Sequence, residues 1–131
     1  MSTLKVTNIQ DTSGSNSSTS AEIYTGRAKA WVNFNGQGTV STRADFNVNT
    51  ITDNATGVYT INFSSALADA NYCYVFGMFQ DWITLGTAEK WGVQTSNGAV
   101  ELKTSSACRI ASKNGNNGGT DSPEITASFF R

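Results

Sequence analysis

The chain's 131 residues suffice for one compact domain and fall short of two ordinary ones, so every feature shares a single core. Apolar residues make up 38% and charged residues only 15%, which leaves solubility to neutral Ser, Thr, Asn and Gly, a strand-and-loop composition. Nine Lys and Arg against ten Asp and Glu give a formal net charge of -1 with no run of like charge, so a nucleic-acid partner or an anionic membrane surface is not expected.

The opening Met1-Ser2-Thr3-Leu4-Lys5-Val6 lacks the basic, apolar and small-residue regions of a signal peptide, and no stretch approaches the length of a membrane-spanning helix. Synthesis in the cytoplasm and no membrane insertion are therefore expected. Leu4 to Ile9 is β-prone, and the Ser/Thr/Asn-rich run from Asp11 to Ser20 has nothing apolar to bury, as a flexible linker would. An apolar strand cut off from the main domain in this way either frays or docks on a neighbouring copy or partner, and Leu4, Val6 and Ile9 are the candidate docking residues. The organisation expected is a docking segment at 1–10, a linker at 11–25 and a β-domain at 26–131.

From Arg27 the apolar period is two. Ala28, Ala30, Val32 and Phe34 share one face, with Lys29, Trp31 and Asn33 opposite, and Gly36-Gln37-Gly38 supplies a tight turn into Thr39-Val40-Ser41-Thr42. Phe46 and Val48 continue the alternation to Ile51, and Asp53-Asn54-Ala55-Thr56-Gly57 is a turn sequence. In Val58 to Phe63, Tyr59, Ile61 and Phe63 face the core while Thr60 and Asn62 face solvent. Tyr72 to Phe79 is apolar on both faces, which predicts a central strand covered on each side, or one covered by its own domain and by a neighbouring subunit. Further alternations at Trp91-Gly92-Val93, Val100-Glu101-Leu102, Cys108-Arg109-Ile110 and Ile125 to Phe129 complete an all-β pattern, an antiparallel sandwich of jelly-roll-like kind. Cys73 and Cys108 are expected as buried free thiols, and their spacing excludes a CxxC motif.

The sequence contains no histidine, which removes the commonest general base, the Ser-His-Asp and Cys-His nucleophile systems and the usual zinc ligand. Paired carboxylates remain as a route to glycoside cleavage, but most of the Asp and Glu residues fall in turns or on polar strand faces, so neither an enzyme nor a cofactor is expected. Gly36-Gln37-Gly38 lacks the third glycine of a phosphate-binding loop and leads into a strand. The loop carrying Asn114, Asn116, Asn117 and Asp121 offers oxygens suited to calcium without any calcium-loop spacing, so it is read as a plain loop with no metal. Gln80, Asp81 and Trp82, with Trp91 on the next segment, could stack and hydrogen-bond a sugar, or the two indoles could cap the core or a subunit interface.

Ser2 to Asp11, the block Gly26 to Gly36, Gly57-Val58-Tyr59-Thr60-Ile61-Asn62-Phe63 and Ala68-Asp69-Ala70-Asn71-Tyr72 resemble a family of tail-fibre and appendage proteins of tailed bacteriophages, particularly marine and cyanobacterial ones. The similarity covers nearly the whole chain, thins between Phe79 and Gly98, and rests on structural motifs. It implies a virion component, a homotrimer held to other tail or capsid proteins by its N-terminal segment. The β-domain would point outward to meet the host surface, with a glycan as the candidate ligand, through loops carrying Gln80, Asp81, Trp82, Trp91, Asn114, Asn116 and Asn117. With no coiled-coil shaft or β-helical stem, a stubby fibre, a head decoration and a clamp between tail parts all fit. A purely structural cement protein and a free-standing carbohydrate-binding module are the competing readings. The first would bury its tryptophans between subunits; the second would expose Trp82 or Trp91 on a monomer.

Overall fold

The computed structural model describes residues 2–79, 103–113 and 118–131. Its main body is a sandwich of two antiparallel sheets. Strands β3 (Ala28–Asn35), β4 (Ser41–Phe46), β7 (Cys73–Phe79) and β9 (Glu124–Phe130) form one sheet in the order β4-β3-β9-β7. Strands β5 (Val48–Ala55), β6 (Val58–Phe63) and β8 (Ala107–Ala111) form the other in the order β5-β6-β8. The described strands establish the expected sandwich and leave the jelly-roll order untraced.

Alternation sets which side of each strand is buried, because successive side chains point to opposite faces. Ala30, Val32 and Phe34 of β3 and Ile125, Ala127 and Phe129 of β9 form one wall of the core, and Tyr59, Ile61 and Phe63 of β6 with Ile110 of β8 form the other. Aromatic rings lock the walls together edge to face: Phe34 with Tyr59 at 5.2 Å between centroids, and Phe63 with Phe129 at 5.0 Å. Tyr72, on the crossing between β6 and β7, packs against both Phe63 and Phe129 and bonds the Ala107 carbonyl through its hydroxyl.

Several expectations need correction. The run from Phe46 to Ile51 is two strands in different sheets, divided at Asn47. Its φ of 58° lies in the left-handed region and turns the chain from one sheet to the other. This puts Phe46 outward and Val48 inward. The Asn47 amide donates to the Lys29 and Ser65 carbonyls, both at 3.0 Å, and its Oδ1 accepts the Ser65 amide at 2.8 Å, so one side chain ties three segments together. The turn expected at 53–57 is confined to Thr56-Gly57, with β5 running on to Ala55. Thr60 is buried because β6 is the middle strand of its sheet, where Asn54 from β5 and Arg109 from β8 both bond the Thr60 hydroxyl. Among the described residues β7 is outermost in its sheet, so Tyr74, Phe76 and Met78 pack on the core while Val75 and Phe79 are exposed. Cys73 shares that outward side and is exposed; Cys108 is buried as expected.

The segment expected as a linker carries local structure. A short hairpin pairs β1 (Asn8–Gln10) with β2 (Ser17–Thr19), followed by helix α1 (Ser20–Gly26). Hydrogen bonds from side chains to backbone stand in for burial here. The Asp11 carboxylate accepts the Ser13 hydroxyl, the Ser15 amide at 2.9 Å and the Asn16 side chain, which together hold its pKa down at about 2. Thr19 and Glu22 form a reciprocal capping box at the start of α1.

The registers fix two ends of the sandwich. Ala28, Phe46, Cys73 and Phe130 lie at the end where the N-terminal arm joins. Asn35, Phe79, Ala111 and Glu124 lie at the other, which is closed by a Gly36 amide bond to Ser122 O at 2.8 Å and a Ser122 hydroxyl bond to Phe79 O.

Candidate functional site

The outer faces of the two sheets differ in chemistry. On the three-stranded sheet, Thr50, Thr52, Asn54, Thr60, Asn62 and Arg109 form a polar ladder in which the Asn62 amide reaches Thr50 Oγ1 and Thr52 Oγ1, each at 3.1 Å. On the four-stranded sheet, pairing lines up Phe46 with Trp31, Trp31 with Ser128 and Ser128 with Val75, so one row crosses all four strands. Cross-strand partners share a face, and Trp31 lies between the inward Ala30 and Val32, so the whole row points away from the core. Phe46 is 51%, Trp31 38% and Val75 65% exposed. Phe130 and Cys73 make the adjacent pair, extending the apolar strip by one row.

The sequence placed Trp31 on the outward side of its strand, which was the legible part of this site. Phe46 was missed because the alternation put it on the same side as Val48. Joining the two also requires the register shift between Asn33 and Phe34, where β4 gains a residue against β3.

Leu4, Val6 and Ile9 are all exposed, Leu4 at 84%, and α1 adds exposed Ile23 and Tyr24, so the arm presents five large apolar side chains and buries none in its helix. Gln80, Asp81, Trp82, Trp91, Asn114, Asn116 and Asn117 lie outside the described residues. The described residues next to two of these stretches, Phe79 before Gln80 and the bridged pair Lys113 and Gly119, belong to the end of the sandwich opposite the arm. Lys103, which follows residues 80–102, belongs to the arm's end, with its ammonium 4.9 Å from the Tyr72 ring centroid.

At the far end, Asp121 Oδ1 accepts the Gly57 amide at 2.7 Å and lies 2.6 Å from the Tyr59 hydroxyl, while the Ser112 hydroxyl bonds Thr120 O. Burial first, then the neighbouring carboxylate, push the Tyr59 phenol well above its ordinary range, so it stays protonated and serves as a donor. This cluster ties the described residues on either side of 114–117 to the β5–β6 turn. Among the described residues no group of three Cys, Asp or Glu side chains is gathered to hold a metal. The chain matches no protein-family model, no curated protein and no solved structure.

Proposed function

We propose that this chain is a virion appendage protein of a tailed bacteriophage, a short fibre or surface module that works by assembly and binding. It associates with copies of itself through the outer face of its four-stranded sheet and attaches to other virion proteins through Leu4, Val6 and Ile9. The observation that carries this reading is the exposed Phe46–Trp31–Ser128–Val75 row on a sheet whose counterpart is a polar ladder. Covering the area still exposed on these three partly buried side chains recovers a fraction of the about 1.5–3 kcal/mol that full burial of a large apolar side chain is worth, and so offsets part of the cost of association. The strip carries no charged residue, which suits an identical apolar face better than a charged partner.

The separation of the sandwich's ends supports the orientation. The apolar arm leaves one end, and the described residues that precede Gln80 and flank 114–117 lie at the other. In this reading attachment lies at one end and host contact at the other, with several weak sites per particle adding up through avidity.

Light scattering on the full chain tests the assembly step. A trimer is expected, and the double variant Trp31→Ser, Val75→Thr is expected to be a folded monomer, since both positions are outside the core. A wild-type monomer with an unchanged sandwich would sink self-association and favour a free-standing sugar-binding module. A trimer that survives the double variant would move the interface elsewhere.

A further inference from the structure

Three of the chain's nine Lys and Arg side chains converge where the N-terminal arm meets the sandwich. A cleft of about 440 Å³ opens there, lined by Tyr24, Arg27, Lys29, Phe46, Leu67 and Arg131. Its volume lies in the range of small-molecule sites. The Lys29 ammonium sits 3.9 Å from the Tyr24 ring centroid and donates to the Tyr24 and Arg27 carbonyls, and the Arg27 guanidinium is 5.0 Å from the same ring. Asp69 bonds Arg131 at two points, Nε at 2.8 Å and Nη2 at 2.5 Å, and offsets its charge, while Arg27 and Lys29 have no ion pair among the described residues. Lys29 is displaced below its ordinary range by desolvation first and by the Arg27 charge second, as expected for like charges held together. Around the cations the walls are apolar: the half-exposed Phe46 ring, buried Leu67 and three alanines.

We propose that this cleft binds a small organic anion, a carboxylate or sulfate carried on an apolar body, with the anionic group at Arg27 and Arg131 and the body against Phe46 and Leu67. A cluster of three cations of which only Arg131 is ion-paired among the described residues favours an incoming anion, and guanidinium groups bind such anions through charge-assisted hydrogen bonds. The apolar walls add the burial of a ring or chain that a bare inorganic ion lacks. The cleft's lining comes from one chain, and it shares the Phe46 ring with the face proposed for self-association, so assembly and anion binding are linked through that ring.

The test is a nuclear magnetic resonance titration of the full chain at fixed ionic strength with benzoate, the neutral isostere benzamide, and inorganic sulfate. Benzoate is expected to give saturable shifts confined to the amides of residues 24–29, 46–47, 66–68 and 131. Benzamide is expected to bind at least about tenfold more weakly, the loss of one charge-assisted hydrogen bond. Arg27→Gln, in the exposed joint ahead of β3, should weaken benzoate by a similar factor, whereas Asp69→Asn should strengthen it by releasing Arg131. No saturable shift, equal binding of benzoate and benzamide, or an Arg27→Gln affinity equal to wild type would each overturn the proposal. Sulfate binding as tightly as benzoate would reduce the cleft to a bare anion site and overturn the organic-anion assignment.

Discussion

The Tyr59 hydroxyl lies 2.6 Å from Asp121 Oδ1, the same oxygen that accepts the Gly57 amide at 2.7 Å, and 3.0 Å from Gly36 O. One buried phenol thus joins the β3–β4 turn, the β5–β6 turn and the segment leading into β9, three pieces of chain that converge at the end of the sandwich opposite the arm. Tyr59→Phe keeps the ring and its edge contact with Phe34 but removes the hydroxyl. We expect a loss of about 1–3 kcal/mol in urea unfolding, the cost of leaving buried acceptors without their donor. A loss confined to a few tenths would show that the ring alone anchors this end.

The same residue predicts a dependence on alkaline pH. Burial raises the folded-state pKa of Tyr59, and of Tyr72, above the ordinary phenol value, so the folded chain keeps protons that the unfolded chain releases. Their contribution is fully present below the unfolded value of about 10 and declines as pH rises beyond it, by at most about 1.4 kcal/mol per pH unit for each group. Unfolding curves of wild type and Tyr59→Phe, compared from pH 8 to 11.5, should therefore draw together above pH 10. A constant gap would mean that Tyr59 ionises as readily folded as unfolded.

Alternation made most of the strands legible. Inward Ala30, Val32 and Phe34, inward Tyr59, Ile61 and Phe63, and inward Ile125, Ala127 and Phe129 follow from period two alone, and with them the sandwich. What alternation cannot supply is pairing. An apolar run such as Tyr72 to Phe79 reads the same in a central strand as in an outer one carrying an exposed strip, and only its pairing, with β9 alone among the described residues, separates them. Break points were also hidden: Asn47 adopts a left-handed conformation that its sequence neighbours do not announce, and this reverses the side on which Phe46 lies. The exposed apolar row was half visible in outward Trp31. The cationic cleft was not visible at all, because Arg27 and Arg131 stand at opposite ends of the β-domain's sequence and meet only through the pairing of Ala28 with Phe130.

Gly57 and Gly38 allow a controlled comparison. Both have positive φ, 69° and 63°, but a Cβ on Gly57 would stand 2.5 Å from the Thr120 amide nitrogen, whereas one on Gly38 would meet nothing within 4 Å. Gly38→Ala should therefore cost only the backbone strain of a left-handed alanine, about 1 kcal/mol. Gly57→Ala adds a clash with backbone that is itself pinned through Ser112, Thr120 and Asp121, and should cost about 3 kcal/mol or more. Equal losses in the two variants would mean that the 112–121 segment yields freely.

Asn47 combines strain and bonding in one residue, and two substitutions separate them. Its side chain makes three hydrogen bonds, to Lys29 O, Ser65 O and the Ser65 amide, while its backbone holds φ at 58°. Asn47→Gly loses the three bonds but relieves the backbone, and should cost about 1–3 kcal/mol. Asn47→Ala loses the same bonds and keeps the strain without the local hydrogen bonding that lets asparagine tolerate it, so it should cost about 1 kcal/mol more than the glycine variant. Because Asn47 sets the crossing that turns Phe46 outward, Asn47→Ala should also weaken the proposed self-association measured by light scattering, whereas Gly38→Ala at the far end should not. If Asn47→Ala matched Asn47→Gly in stability and left association intact, the crossing would be held by the core rather than by this residue. Val48 and Phe63, paired just beyond it, would then be the residues to truncate next.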